Sequence, residues 1–312
     1  MTTIEPLHAP LKPSSATGLS RAGMIQFGVV TVLLVLAYLG PIRHLLIARW
    51  MADGNWSHGP LIPLFSLYFL WLRYDELAAA RARPNVLGGV ILVGSLALYF
   101  VSEIWLRQGY PQGVSLVGAV FGLTLLLGGW PIIRLTWFAI LFLLLAVPLP
   151  QGLYVSLTMP LRELAATVAA SVMPLFVSGL HTEAQAVVID YIVPGRSPAT
   201  LNVEEACSGM RLMMAFVTLG LVMSYLGERP LWQRVILVLS CLPIAVFCNA
   251  VRVTTTGLFM VTGHDELARG TPHQLLGIVM LVLAFALLAG LRYVLEHLFV
   301  DEATQESAVV AS

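Results

Sequence analysis

Four long apolar runs, Ile25 to Leu39, Val86 to Val101, Ile132 to Val147 and Gln274 to Leu291, constrain this chain more than any other feature. Each is about long enough to cross a hydrocarbon core roughly 30 Å thick. Only 11% of the residues are charged and 58% are hydrophobic, whereas soluble domains carry roughly 25% charged residues. Lipid is therefore the main solvent. A backbone surrounded by lipid must satisfy its own N–H and C=O groups, so the spans are expected to be helices. The formal net charge is zero and no basic tract occurs, which excludes nucleic acid as a partner.

Hydropathy predicts an all-α membrane protein with about eight transmembrane helices, over 25–47, 59–73, 86–102, 113–129, 132–148, 208–226, 235–260 and 274–296. These lie in one membrane domain over 25–298, flanked by tails at 1–24 and 299–312. No small-residue cleavage site follows the first apolar span, so it reads as a retained signal anchor. Arg73, Arg81, Arg83, Arg134, Arg229, Arg234 and Arg292 fall on one side of this topology. Arg49, Arg107, Arg196 and Arg269 fall on the other. The bias puts both tails in the cytoplasm, with Arg43 and Arg49 arguing mildly against it.

One insert, 153–206, departs from the hydropathy pattern. Residues 153–178 are apolar but interrupted by Pro160, Arg162, Glu163 and Pro174, which predicts an interfacial or re-entrant helix. The β-branched run 186–193 ends at Pro194-Gly195 and is followed by Leu201-Asn202-Val203. That pattern predicts a short β-hairpin on the outer face, leading into the helix that begins after Cys207.

Cys207, Cys241 and Cys248 are the cysteines of the chain. Without a C-x-x-C spacing, neither a disulfide scaffold nor a zinc site is indicated, and no cofactor is expected. Cys241 and Cys248 lie inside an apolar span and read as small buried hydrophobes. Cys207 stands at a polar boundary, in Glu204-Glu205-Ala206-Cys207-Ser208-Gly209. A thiolate at a helix N-terminus is stabilised by the dipole and by free N–H groups. Gly209 leaves room for a substrate backbone, and Glu204 and Glu205 could bind a partner or orient a base. The competing reading of Cys207 is a structural cysteine packed beside a glycine.

Arg252 shifts that balance. A charge at the centre of a span costs roughly 2.5–3.5 kcal/mol on insertion scales, so an intramembrane arginine is read as functional; the alternative is a pairing that merely locks helices. Asn249 sits three residues earlier, on the same helical face. His273 opens the last span and could serve as a general base, although a histidine there could equally be a polar flank. The expected topology brings Cys207, Arg252 and His273 to the outer face. A cysteine nucleophile, a base and a cationic oxyanion stabiliser would make a covalent catalyst. Arg211, one turn after Cys207, could lower its pKa or bind a carboxylate, or snorkel to the surface. His58 in Asn55-Trp56-Ser57-His58-Gly59-Pro60 could shape the site or simply open a helix capped by Ser57. A metal site from His58, His264 and His273 is conceivable, but no H-x-x-x-H spacing supports it.

Together these residues resemble the exosortase/archaeosortase family of membrane cysteine transpeptidases. The resemblance rests on Glu205-Ala206-Cys207-Ser208-Gly209-Met210-Arg211, Asn249-Ala250-Val251-Arg252-Val253, His273 with Gly277, and Asn55 to Pro63, where the family often has tyrosine in place of Trp56. The Val147-Pro148-Leu149-Pro150 turn also fits, and the elements span roughly residues 50–290. The resemblance implies Cys207, Arg252 and His273 as the catalytic set. Glu205, Ser208, Gly209, Arg211, Asn249 and His58 would support it. It also implies exported substrates with a C-terminal tripartite sorting signal: a Pro-Glu-Pro-type motif, a membrane helix and a basic tail. Archaeal relatives often carry arginine at the third catalytic position, so His273 points to the bacterial branch. That branch accompanies exopolysaccharide production, implying an inner-membrane enzyme whose active site faces the periplasm. The competing class is a non-enzymatic transporter or export component for an anionic polysaccharide precursor, with Arg211 and Arg252 holding the anion.

Overall fold

The computed structural model describes residues 21–203, 209–227, 230–268 and 270–298. The described residues are mostly helical, with one small three-stranded sheet. They divide into two compact units: Met1–Leu45 with Pro63–Leu144, and Leu46–Ile62 with Leu145–Ser312.

The chain opens with helix α1 (Arg21–Ala37) of the first unit, followed by a π-helical segment, Pro41–Ile47, and then α2 (Ala48–Ala52), which belongs to the second unit. The chain bends by 64° between the two, at Gly40-Pro41, where proline supplies no N–H and disfavours a helical residue before it. Next come α3 (Leu61–Leu72), α4 (Tyr74–Ala79), α5 (Val86–Val101) and α6 (Gly109–Phe142). The Asn85 side chain caps α5, accepting from the Leu87 amide at 2.9 Å.

Helices α5 and α6 pack through small residues. A Cβ on Gly88 would collide with the Leu126 backbone, and one on Gly122 would lie 2.6 Å from the Leu92 nitrogen. Lipid supplies no hydrophobic drive between helices, so such close backbone approach replaces it with dispersion.

The 34 residues of α6 would run about 51 Å at 1.5 Å per residue, too long for one straight crossing. Gly129, at φ +71°, breaks the helix two residues before Pro131. The Arg83 amide donates to the Gly128 carbonyl (3.0 Å) and the Asn85 amide to that of Leu126 (3.2 Å), satisfying carbonyls stranded by the break. The break falls between the spans predicted over 113–129 and 132–148.

Four helical stretches among the described residues are long and apolar enough to cross a membrane: Val86–Leu106, Gly109–Ala146, Leu231–Val261 and Gly270–His297. The bent pair at Gly28–Ala52 makes a fifth candidate. Outward-facing side chains are apolar, with Leu64, Leu67 and Trp71 of α3 and Val90 and Val93 of α5 each more than 60% exposed. In water such a surface would aggregate; in lipid it is the solvated side.

The second unit contains α7 (Gln151–Val172), strands β1 (His181–Gln185), β2 (Val188–Ile192) and β3 (Ala199–Asn202), then α8 (Gly209–Leu226), α9 (Leu231–Val261) and α10 (Gly270–Leu298). The sheet is antiparallel in the order β1-β2-β3, with Ile189 opposite both Ala184 and Leu201. The expected hairpin is thus β2-β3, and β1 extends it to three strands. Polar His181-Thr182-Glu183 concealed β1, because its outer positions show no apolar alternation.

The sheet rests on α7 and α9. Ala165, Ala166, Ala169 and Ala170 form a small-residue stripe that meets Ala250 and Val253, with Ile189, Leu201 and Val203 filling the same core. The Thr182 hydroxyl donates to the Ala170 carbonyl at 2.6 Å, tying β1 to α7. Arg196 donates from Nη1 to the Val261 carbonyl at 3.0 Å, capping the end of α9. Helices α8, α9 and α10 share a second core around Phe216, Ala245, Cys248, Met280 and Ala284. Cys241 and Cys248 are fully buried free thiols, the hydrophobe role expected of them.

Candidate active site

Helix α9 carries Asn249 and Arg252 one turn apart, both buried, at 5% and 7% exposure. Three residues along a helix place side chains about 60° apart around the axis and about 4.5 Å along it. The two therefore reach different neighbours. Arg252 reaches α10, where its Nη2 lies 2.7 Å from Nε2 of His273. A guanidinium can only donate, so His273 Nε2 accepts and the ring proton sits on Nδ1. Gly277, one turn beyond His273, lies alongside: a Cβ there would make ordinary van der Waals contact, 3.9 Å from the Arg252 Cζ.

Asn249 instead faces a small cleft lined by Thr158, Leu161, Arg162, Met213, Ala245 and Val246. Its Oδ1 is buried without a hydrogen-bond partner among the described residues. Across the cleft, Arg162 is 5% exposed. It donates from Nη2 to the Tyr154 hydroxyl at 3.2 Å, with its Cζ 5.9 Å from the centre of that ring. Thr158 donates to the Tyr154 carbonyl, so Tyr154, Thr158 and Arg162 form one polar stripe at four-residue spacing on α7.

His58 lies in the turn before α3, 8% exposed, with its ring centroid 5.7 Å from that of Trp56. Burial pushes its pKa below the ordinary histidine value, opposed in lesser degree by the backbones of Leu145 and Asn55. Trp56 packs with Tyr154 and Met214, bordered by Trp50, Leu149 and Met213. Trp50 donates its indole N–H to the Ala146 carbonyl at 2.9 Å. The segment Asn55 to Pro60 thus shapes the cleft indirectly, by wedging Trp56 against Tyr154 behind Arg162.

Of the residues expected from sequence, Arg252 and His273 meet directly, whereas Asn249 turns toward Arg162 and His58 joins the Trp56 cluster. Glu205, Cys207 and Ser208 lie outside the described residues. Gly209 and Arg211 belong to the first turn of α8. Among the described residues no three His, Cys, Asp or Glu side chains gather closely enough to hold a metal ion. His264 pairs with the Thr262 hydroxyl instead, at 3.1 Å. Arg162 is the residue that sequence reasoning passed over, as a mere interruption of an apolar helix. The rule that singled out Arg252, that a charge inside an apolar helix needs a reason, would have found it.

Long apolar helices with an apolar exterior define a multi-pass membrane protein, in which Arg252 and His273 meet across adjacent helices. The family model described as transmembrane exosortase matches residues 50–290, and the chain belongs to that family. No curated protein and no solved structure gives a significant match to the chain.

Proposed function

We propose that this exosortase is a cysteine peptidase or transpeptidase that cleaves a C-terminal, Pro-Glu-Pro-type sorting signal from exported proteins. The observation that carries the reading is the 2.7 Å contact between Arg252 and His273. It couples a permanent cation to a proton carrier on two adjacent helices. Cys207 is the nucleophile, two residues before the start of α8 at Gly209. Glu205, Ser208, Gly209 and Arg211 flank it as supporting residues.

In this mechanism His273 takes the Cys207 thiol proton on Nε2. Both ring nitrogens are then donors, so the bond from Arg252 cannot persist, and like charge drives the guanidinium away. The released Arg252 stabilises the oxyanion as the thiolate adds to the scissile carbonyl. Collapse of the tetrahedral adduct breaks the C–N bond. The leaving amine takes the proton back from His273, and Cys207 keeps the acyl group as a thioester. Water then completes hydrolysis, or an amine or hydroxyl acceptor completes transpeptidation. Proton uptake thereby switches Arg252 from a ground-state partner to a transition-state one.

The substrate's own membrane helix docks from the lipid, and the site faces the periplasmic side of the inner membrane. Eight crossings, with the Gly129 break forming a turn between two of them, provide that topology. The cellular context is exopolysaccharide and surface assembly. The test is co-expression with a tagged exported protein bearing such a signal. Wild type should release the tail, and an intact mass should reveal a substrate–Cys207 thioester. Cleavage that persists in Cys207→Ala would overturn the assignment. Full export function in Cys207→Ser would favour a transporter instead.

A further inference from the structure

We propose that Arg196, at the tip of the β2-β3 hairpin, is a positioning residue for the reaction: it braces the carbonyl end of α9 and so holds His273 where it meets Arg252. The inference rests on the peptidase reading above and adds to it a residue outside the Cys207, Arg252 and His273 set.

The hairpin is built to aim this side chain. Val193 to Arg196 form a tight turn with Pro194 second and Gly195, at φ +82°, third, closed by a 3.0 Å bond from the Arg196 amide to the Val193 carbonyl. Proline at the second place and a left-handed glycine at the third are what a type II turn favours. The turn presents Arg196 to the end of α9. There the Gly263 amide donates to the Met260 carbonyl at 3.1 Å and the His264 amide to that of Phe259 at 2.8 Å, with Gly263 at φ +83°. Those two bonds are a Schellman motif. They do not use the Val261 carbonyl, and Arg196 Nη1 donates to it at 3.0 Å. A Cβ on Gly263 would lie 3.2 Å from Arg196 Nη2, so the guanidinium lies close against the turn. A cation at the carbonyl end of a helix also complements the dipole. A second tie runs through Tyr191 of β2. Burial first, and the Asp265 charge second, raise the pKa of its phenol, and Arg196 opposes them.

The brace sits where it controls the Arg252–His273 contact. Val261 closes α9 nine residues after Arg252, about 13.5 Å along the axis, whereas His273 stands three residues, about 4.5 Å, into α10. The connection from Thr262 must therefore descend along α9 before α10 begins, and the point from which it leaves sets the height of His273 against Arg252. The Leu267 amide donates to the His264 carbonyl at 2.9 Å and the Ala268 amide to that of Asp265 at 3.2 Å, so a shift at Gly263 is carried toward α10. The same hairpin continues through β3 to Val203, four residues before Cys207. Arg196 thus links the strand that leads to the nucleophile with the helix end that leads to its base.

The test uses the full chain in lipid nanodiscs, cleaving the tagged reporter. Arg196→Met, which keeps the stem and removes the donors, should lower kcat by about 10- to 100-fold, the scale for displacing a catalytic group by about 1 Å, and leave KM unchanged. Arg196→Lys, which can still donate to the Val261 carbonyl, should recover most of the rate. Added to His273→Ala, Arg196→Met should cost nothing further, because it acts through the histidine. Amide hydrogen exchange in Arg196→Met should quicken over 262–268 and the first turn of α10, and keep the wild-type rate at the far end of α10. Wild-type kcat in Arg196→Met overturns the proposal. So does a loss confined to KM, one that Arg196→Lys does not relieve, or one that adds in full to His273→Ala. Exchange quickened along the whole of α10 marks a general loss of fold and overturns it too. The exchange measurement also separates this failure from that of the peptidase reading. A reporter that the wild type leaves uncut refutes the peptidase, and locally quickened exchange in Arg196→Met would then leave the brace standing. Unchanged exchange would refute the brace whatever the reporter shows.

Discussion

The Nη2 of Arg252 and the Nε2 of His273 lie 2.7 Å apart on adjacent helices, and only one of them can donate. The pair thus acts as a unit, and its variants should not add. Arg252→Lys keeps the charge but loses the fork, and loss of one oxyanion donor costs about 10²–10³ in turnover. His273→Ala is expected to fall in the same range or below. The double variant should be little worse than the more damaging single one. Cleavage rates of the tagged reporter, normalised to membrane protein level, check this, and simple multiplication of the two losses would separate their roles.

Trp56 is 3% exposed and packs on Tyr154. Truncation to alanine should cost about 3–5 kcal/mol, as for other large buried aromatics, and should loosen the Tyr154–Arg162 contact behind it. Trp56→Tyr, which restores an aromatic body, should recover most of the lost stability. Thermal unfolding in detergent, compared across the three proteins, distinguishes packing from any specific need for the indole.

Gly88 and Gly94 occupy the same helix with opposite surroundings. A Cβ at Gly88 would strike the backbone of α6, whereas nothing lies within 4 Å of one at Gly94. Gly88→Ala should therefore lower the thermal midpoint. Gly94→Ala should leave it unchanged or raise stability by up to about 1 kcal/mol through helix propensity. Equal effects at both positions would contradict the close α5–α6 packing.

His58 makes stability sensitive to acid. Its pKa is lowered by burial, so the unfolded chain binds its proton more readily than the folded one. Stability from this group is full above the unfolded value of about 6.5 and declines as pH falls below it. The thermal midpoint should drop between about pH 7.5 and pH 5.5, the range in which histidine changes charge. His58→Gln, which cannot titrate, should show a smaller drop over the same interval.

Cys241 and Cys248 are fully buried free thiols, Cys248 in the core shared by α8, α9 and α10. Replacing both by alanine should leave reporter cleavage intact while removing two thiols. A membrane-impermeant maleimide applied from the periplasmic side should then label this variant only at Cys207. Labelling solely from the cytoplasm would reverse the proposed orientation.

How much of this was legible beforehand follows residue type. Arg252 stood out because a charge in an apolar helix is expensive wherever it faces, and His273 because a histidine opening the last span could serve as a general base. The β2-β3 hairpin was legible in its β-branched run. Strand β1 was not, since His181, Glu183 and Gln185 point outward and its pairing with β2 depends on a neighbour. Arg162 was equally visible as a charge, yet proline residues nearby made its helix resemble an interruption.

The sequence by itself determined the solvent of this protein, because apolar length and scarcity of charge do not depend on contacts. It also singled out Arg252 as a side chain that needed a partner. Only the tertiary structure decided whom it faces. Asn249 and Arg252 differ by three positions on one helix, yet one turns to Arg162 on α7 and the other to His273 on α10. Helical periodicity specifies a direction around an axis; which helix stands in that direction is set by packing, here by the alanine stripe of α7 against Ala250 and Val253 of α9.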